Sequence, residues 1–262
     1  MLSYHNKVVW ITGASSGIGA SLAKGFASLG ATCVLSSRNE KQLDWVRNQL
    51  AHPERHLVLP LDLTASDTFP DAVGFVLNAF GRIDVLVNNG GVSQRSLAAE
   101  TSLAVDHQLM EVNFFGPVAL TKAVLPYLRK SEGQIIVISS IAGKFGFFLR
   151  STYAAAKHAL HGFFESLALE EEGKVRVTIA CPGKINTPIS MSALNENGEK
   201  HNAMDDNQST GMDVDVCAHK IIRAARKNRR EVLIGKKEII PVYLKRYFPY
   251  MFWRIIRNQK AV

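Results

Sequence analysis

Seven short runs rich in apolar and β-branched residues, at 7–11, 32–36, 57–61, 83–87, 134–139, 175–180 and 231–234, alternate with longer stretches of helical character. Runs such as Val8-Val9-Trp10-Ile11 are continuous rather than alternating, as in strands buried on both faces. Strands separated by helices predict βαβ units. The expected architecture is α/β, a doubly wound parallel sheet of about seven strands with helices on both faces, built by one domain over residues 1–240. No internal repeat, low-complexity tract or linker marks a second domain. Residues 241–262 are expected to form a basic, aromatic C-terminal extension.

The first run leads into Thr12-Gly13-Ala14-Ser15-Ser16-Gly17-Ile18-Gly19, and then into helix-like sequence from Ala20 to Leu29. A strand, a glycine-rich turn and a helix make the opening unit of a Rossmann-type dinucleotide fold. Glycines allow the tight turn and close backbone approach, and free N–H groups at the helix start bind pyrophosphate. The spacing is G-x-x-x-G-x-G rather than the commoner G-x-G-x-x-G.

Tyr153 and Lys157 lie four residues apart in Ser151-Thr152-Tyr153-Ala154-Ala155-Ala156-Lys157, with Ser140 thirteen residues before the tyrosine. Positions i and i+4 share a helix face. A free phenol has a pKa of about 10. A cation beside it favours the phenolate and lowers that value, which suits a general acid or base.

The set Thr12-Gly13-x3-Gly17-x-Gly19, Asp62, Asn88-Asn89-Gly90-Gly91, Asn113, Ser140, Tyr153-x3-Lys157 and Pro182-Gly183 resembles the short-chain dehydrogenase/reductase family in order and spacing, over residues 7 to about 187. One departure is Gly90, where the family usually carries alanine; it is expected to alter packing rather than chemistry. The resemblance implies hydride transfer between a nicotinamide cofactor and a carbonyl or secondary alcohol. In the implied roles Ser140 hydrogen-bonds the substrate carbonyl and Tyr153 donates the proton. Lys157 lowers the tyrosine pKa and holds the nicotinamide ribose.

Asn113 stands mid-helix, an unfavourable place for asparagine. It would hold a water linking Lys157 to solvent, or simply mark an irregular helix ahead of Gly116-Pro117. The cofactor site would comprise Gly13, Ser15, Ser16, Gly17, Ile18 and Gly19, with Asp62, Leu63, Asn89, Gly90, Tyr153 and Lys157. Asp62 would contact adenine, or only cap a turn. Pro182-Gly183-Lys184-Ile185-Asn186-Thr187 resembles the loop that holds the nicotinamide, with backbone contacts from Ile185 and a hydroxyl from Thr187. The resemblance also implies a substrate lid over 188–213, and a homodimer or homotetramer paired through the helices around Met110 and Tyr153.

Cofactor preference is read at the end of the second strand, where an acidic side chain would bind the ribose hydroxyls and repel a 2′-phosphate. Ser37 stands there instead, followed by Arg38, whose guanidinium can bind phosphate through charge-assisted hydrogen bonds. NADP(H) is the expected cofactor; the bland reading makes Arg38 a solvated loop residue.

Composition adds location and partners. Three cysteines without a C-x-x-C pair suggest a reducing compartment. No run reaches the roughly 18 apolar residues that span a bilayer, and the first strand starts close to Met1, so a cytoplasmic protein is expected. The eight histidines lack metal-ligand spacing; His158 and His161 are read as surface or interface residues, and no metal is expected. The net charge of +8 is concentrated at the C-terminus, where residues 219–262 carry 13 Lys and Arg against 2 Asp and Glu.

Interleaved with aromatic residues from Tyr243 to Arg257, these cations suit an anionic membrane interface; equally, the tail could cover the cleft or a subunit interface. No nucleic-acid partner is expected. Ile189, Met191, Met204 and Met212, with Phe145, Phe147, Phe148 and Leu149, suggest an apolar cleft and a lipid-like or steroid-like ketone or aldehyde. The functional expectation is an NADP-preferring carbonyl reductase. The alternative is a non-catalytic NADP(H)-sensing or membrane-associated binding protein.

Overall fold

The computed structural model describes residues 2–203 and 210–257. Seven parallel strands form one sheet: β1 (Val8–Thr12), β2 (Thr32–Ser36), β3 (Leu57–Val58), β4 (Val85–Asn88), β5 (Gln134–Ile138), β6 (Arg176–Pro182) and β7 (Glu231–Ile234). Their spatial order is β3-β2-β1-β4-β5-β6-β7. The order reverses beside β1, which opens a crevice at the carboxyl ends of the strands.

Successive strand side chains point to opposite faces, so each strand feeds two cores. Val9, Ile11, Cys33 and Leu35 pack with α1 (Gly17–Ser28), α2 (Glu40–Arg47) and α7 (Val214–Arg226). Val8, Trp10, Val34 and Leu86 pack with α3 (Phe69–Phe80), α5 (Gly116–Lys130) and α6 (Ser151–Glu170). The continuous apolar runs follow from this double burial. Cys33, Cys181 and Cys217 are free and buried.

Element boundaries shift from expectation by up to three residues. Regular pairing of the third strand covers only Leu57–Val58, and Pro60 falls on the side of this edge strand that faces away from β2, where no N–H is needed. The chain nevertheless stays beside β2, with the Leu59 and Leu61 N–H groups donating to the Leu35 and Ser37 carbonyls. The first helix begins at Gly17, three residues before the expected start.

The C-terminal segment folds into α8 (Ile240–Tyr247) and α9 (Pro249–Ile256). Phe248 between them is non-helical, as expected for a residue preceding proline. Among the described residues no helix is long and apolar enough to cross a membrane.

At the amino ends of β1 and β4, the buried Asp84 carboxylate accepts from the Val8 N–H at 2.9 Å, Lys7 at 3.0 Å and Arg82 at 2.8 Å. Burial pushes its pKa up, but Arg82, the Val8 N–H and Lys7 together hold it below the ordinary value. Asp84→Ala should therefore lose roughly 2–4 kcal/mol in urea unfolding, by leaving a strand N–H and two cations without their acceptor.

Candidate active site

A cleft of about 1090 Å³ lies across the carboxyl ends of β1, β2, β4, β5 and β6. Every residue expected to act in catalysis or to bind the cofactor lines it except Gly19. Gly19 instead lies beneath the turn, where a Cβ would stand 2.2 Å from the Gly13 carbonyl oxygen. Gly13 has φ +63, and a Cβ there would meet the Gly90 Cα at 2.8 Å. Both constraints follow from packing the turn against the end of β4.

The turn is fastened from β4 as well. The Thr12 hydroxyl accepts from the Asn89 and Gly90 N–H groups, each at 3.0 Å, and the Asn89 amide donates to the Thr12 and Gly13 carbonyls. The α1 N-terminus opens into this cleft without a side-chain cap, leaving first-turn N–H groups to bind an anion. At the end of β2, Ser37 accepts from the Asn39 N–H, and Arg38 stands exposed at the rim. Asp62 is committed to a turn, accepting from the Thr64 N–H and hydroxyl while still lining the cleft. These groups fit a dinucleotide, with its pyrophosphate over α1.

Ser140 follows β5 and caps a short helical turn by accepting from the Ala142 N–H. Its hydroxyl also faces Tyr153 and favours the phenolate. Lys157, one turn along α6, sits 5.7 Å from the Tyr153 ring centroid and donates to the Ile138 carbonyl at 2.9 Å. Burial pushes the Lys157 pKa down to about 8.

Tyr153 corrects an expectation, because burial raises its pKa in the ligand-free protein. The groups opposing that rise are Arg150, Ser140 and Arg95, and Lys157 is not among them. Two side chains on one helix face are close, but this ammonium is turned to a β5 carbonyl and is itself desolvated. Asn113 stands in a single π-helical turn, Glu111–Phe115, an irregularity directly ahead of Gly116-Pro117. Its amide is fully engaged, with Oδ1 accepting from Val92 N–H and Nδ2 donating to the Val92 and Leu109 carbonyls. Gly91 separates it from the lysine: a Cβ there would lie 2.7 Å from Asn113 Oδ1 and 3.7 Å from Lys157 Nζ. Two hydroxyls above a buried ammonium can deliver a proton to an oxygen held between them.

The family model for short chain dehydrogenases matches residues 7–198. The chain belongs to the short-chain dehydrogenase/reductase family. It is 38% identical over 97% of its length to the Mus musculus dehydrogenase/reductase SDR family member 7B, covering 81% of that protein. Identity to Homo sapiens family member 7 is 39%, over 95% of this chain and 76% of that one. A short-chain dehydrogenase structure from Streptomyces avermitilis superposes with TM-score 0.81 at 29% identity, covering 96% of both chains.

In this short-chain dehydrogenase the catalytic helix is capped from a distance, a feature with no local signal. The residue before α6, Arg150, gives no side-chain cap. Buried Gln94, from the loop after β4, supplies it: Oε1 accepts from the Thr152 N–H at 2.9 Å and the Tyr153 N–H at 3.2 Å. Its Nε2 donates to the hydroxyls of Ser96, Thr101 and Ser151. The same loop pairs with the segment after β6, where Arg95 N–H donates to the Leu194 carbonyl at 2.8 Å.

Other expectations need correction. His158 is exposed, but His161 is buried, bonded to Ser139 at 3.1 Å and facing Cys181, Lys144 and Glu231. His161, Cys181 and Glu231 place ligand atoms within 4.8 Å of one another, yet the Lys144 ammonium already lies 3.2 Å from His161 and pairs with Glu231. Of the apolar residues expected in the cleft, Ile189 and Met191 line it. Met212 joins the core beside Ile185, Phe145 and Phe147 pack with Phe252, and Phe148 faces outward. Met204 lies outside the described residues.

Two outcomes follow. Below pH 8 Lys157 is charged in both folded and unfolded chains, and the folded state bears the full cost of burying it. Between about 8 and 10.5 the unfolded chain keeps a proton that the native chain has released, so stability rises with pH. Urea unfolding of the ligand-free protein should show a gain on the order of 3 kcal/mol, relative to Lys157→Met. Gln94→Leu should lose about 2 kcal/mol by stripping two helix N–H groups of their acceptor. Gln94→Glu, which keeps that acceptor, should lose less in the same assay.

Proposed function

We propose that the chain is an NADP(H)-preferring carbonyl reductase acting on a hydrophobic ketone or aldehyde of lipid-like or steroid-like character, and in reverse on the secondary alcohol. The observation that carries this reading is the convergence of Ser140, Tyr153, Lys157 and Asn113 on the cleft that also holds the glycine-rich turn. When bound, the nicotinamide supplies or accepts the hydride. The α1 N-terminus would hold the pyrophosphate and Ser37 with Arg38 the 2′-phosphate, while Thr187 and the Ile185 backbone would seat the carboxamide.

Ser140 and Tyr153 would each donate a hydrogen bond to the substrate oxygen. Proton delivery falls to Tyr153, since its raised pKa keeps the phenol protonated at neutral pH. The phenolate left behind would be stabilised by Lys157, which is protonated at neutral pH, and Asn113 would hold the water path that resupplies the proton. Val92, Val112, Ile189, Met191 and Leu194 along the cleft support an apolar substrate flank. Exposed Phe115 and Leu169, beside α4 (Leu103–Met110) and on α6, support pairing into a homodimer or homotetramer.

The test is oxidation of NADPH and NADH at a matched series of apolar ketones, aldehydes and lipid carbonyls. Turnover should be faster with NADPH and fall by about 10²–10⁴-fold in Tyr153→Phe. Ser37→Asp should shift preference toward NADH. A wild-type preference for NADH would overturn the cofactor assignment. Tight NADPH binding without turnover across the series would favour a sensor.

A further inference from the structure

The last two helices form a hairpin that is apolar on both sides. On the inner side Phe252 is only 2% exposed and packs with Ile141 and Phe145, its ring edge-on to Phe145 at 5.4 Å between centroids. Ile141 and Phe145 belong to the segment that follows Ser140. Lys245 donates to the Lys144 carbonyl at 3.0 Å, and Glu238, just before α8, accepts from the Lys184 N–H at 3.3 Å. The hairpin therefore rests on both the Ser140 segment and the Pro182–Thr187 loop.

The outer side is left in water. Tyr243, Tyr247, Phe248, Tyr250, Met251 and Trp253 are all exposed, Tyr250 by 76% and Trp253 by 64%. A row of large apolar side chains on one exposed element marks a docking face. Its charge selects the partner: from Ile240 to Arg257 the hairpin carries Lys245, Arg246, Arg254 and Arg257 and no acidic residue. Arg246 lies over the Tyr247 ring and Arg254 over Tyr250, each 5.9 Å from the centroid. Tyrosine and tryptophan with interleaved cations match the headgroup zone of an anionic bilayer, where aromatic rings sit at the interface and arginines meet phosphate.

We infer that this hairpin docks the domain onto anionic phospholipid bilayers, lying in the interface with Tyr250, Met251 and Trp253 inserted. Because the hairpin's inner side rests on the Ser140 segment, docking would hold the cleft close to the lipid surface. Vesicle partition reads this independently of the oxidoreductase reading.

The experiment is co-sedimentation of the full chain with phosphatidylcholine vesicles, with and without phosphatidylserine, at low and high salt. Binding should require phosphatidylserine and weaken with salt. Each lysine or arginine near such a surface is worth about fivefold in partition, so Arg246→Glu with Arg257→Glu should lose at least about 25-fold. Tyr250→Glu with Trp253→Glu should abolish binding. Both variants alter exposed groups, so NADPH affinity and the urea midpoint should stay unchanged, which separates lost docking from misfolding. Absence of vesicle binding, or binding that survives the Tyr250/Trp253 variant, overturns the inference. So does a wild-type oligomer that the same variant dissociates while vesicles go unbound, which would assign the face to a second copy of the chain.

Discussion

Placing the ammonium of Lys157 among buried groups is costly, and much of the surrounding structure can be read as the conditions for doing so. The amine donates to the Ile138 carbonyl, which is available because β5 has reached its end. It lies beside Gly91, where any larger residue would press on Asn113. Asn113 in turn is locked to Val92 and Leu109 within a π turn. The ammonium, the amide and the two hydroxyls thus come from three elements, α6, the π turn and the end of β5, which meet at the carboxyl edge of the sheet.

That edge is assembled by reciprocal fastening rather than by rigid loops. β4 hands Asn89 back to the glycine-rich turn of β1, and the loop beyond it hands Gln94 forward to the start of α6. The loop also pairs with Leu194 in the segment that follows β6. Electrostatically the site disfavours charge: burial raises the phenol and lowers the ammonium.

The parallel sheet was legible in the chain because double burial leaves continuous apolar runs, and because a dinucleotide turn needs glycine wherever two backbones cross. Residue spacing alone likewise placed Ser140, Tyr153, Lys157 and Asn113 in one family pattern, since motif order survives in one dimension. Distant pairings have no such trace. Gln94 reaches a helix that begins 57 residues later in the chain, and its contribution depends on two loops meeting. His161 reads as a surface residue by its neighbours, yet the turn of α6 carries it inward against β6. Proximity along a helix also misjudged the Tyr153–Lys157 pair, because the direction of an ammonium is set by the acceptor it finds. Sequence periodicity reports which face of an element is apolar; burial, and with it the pKa of a phenol or an amine, arises only when those faces close on one another.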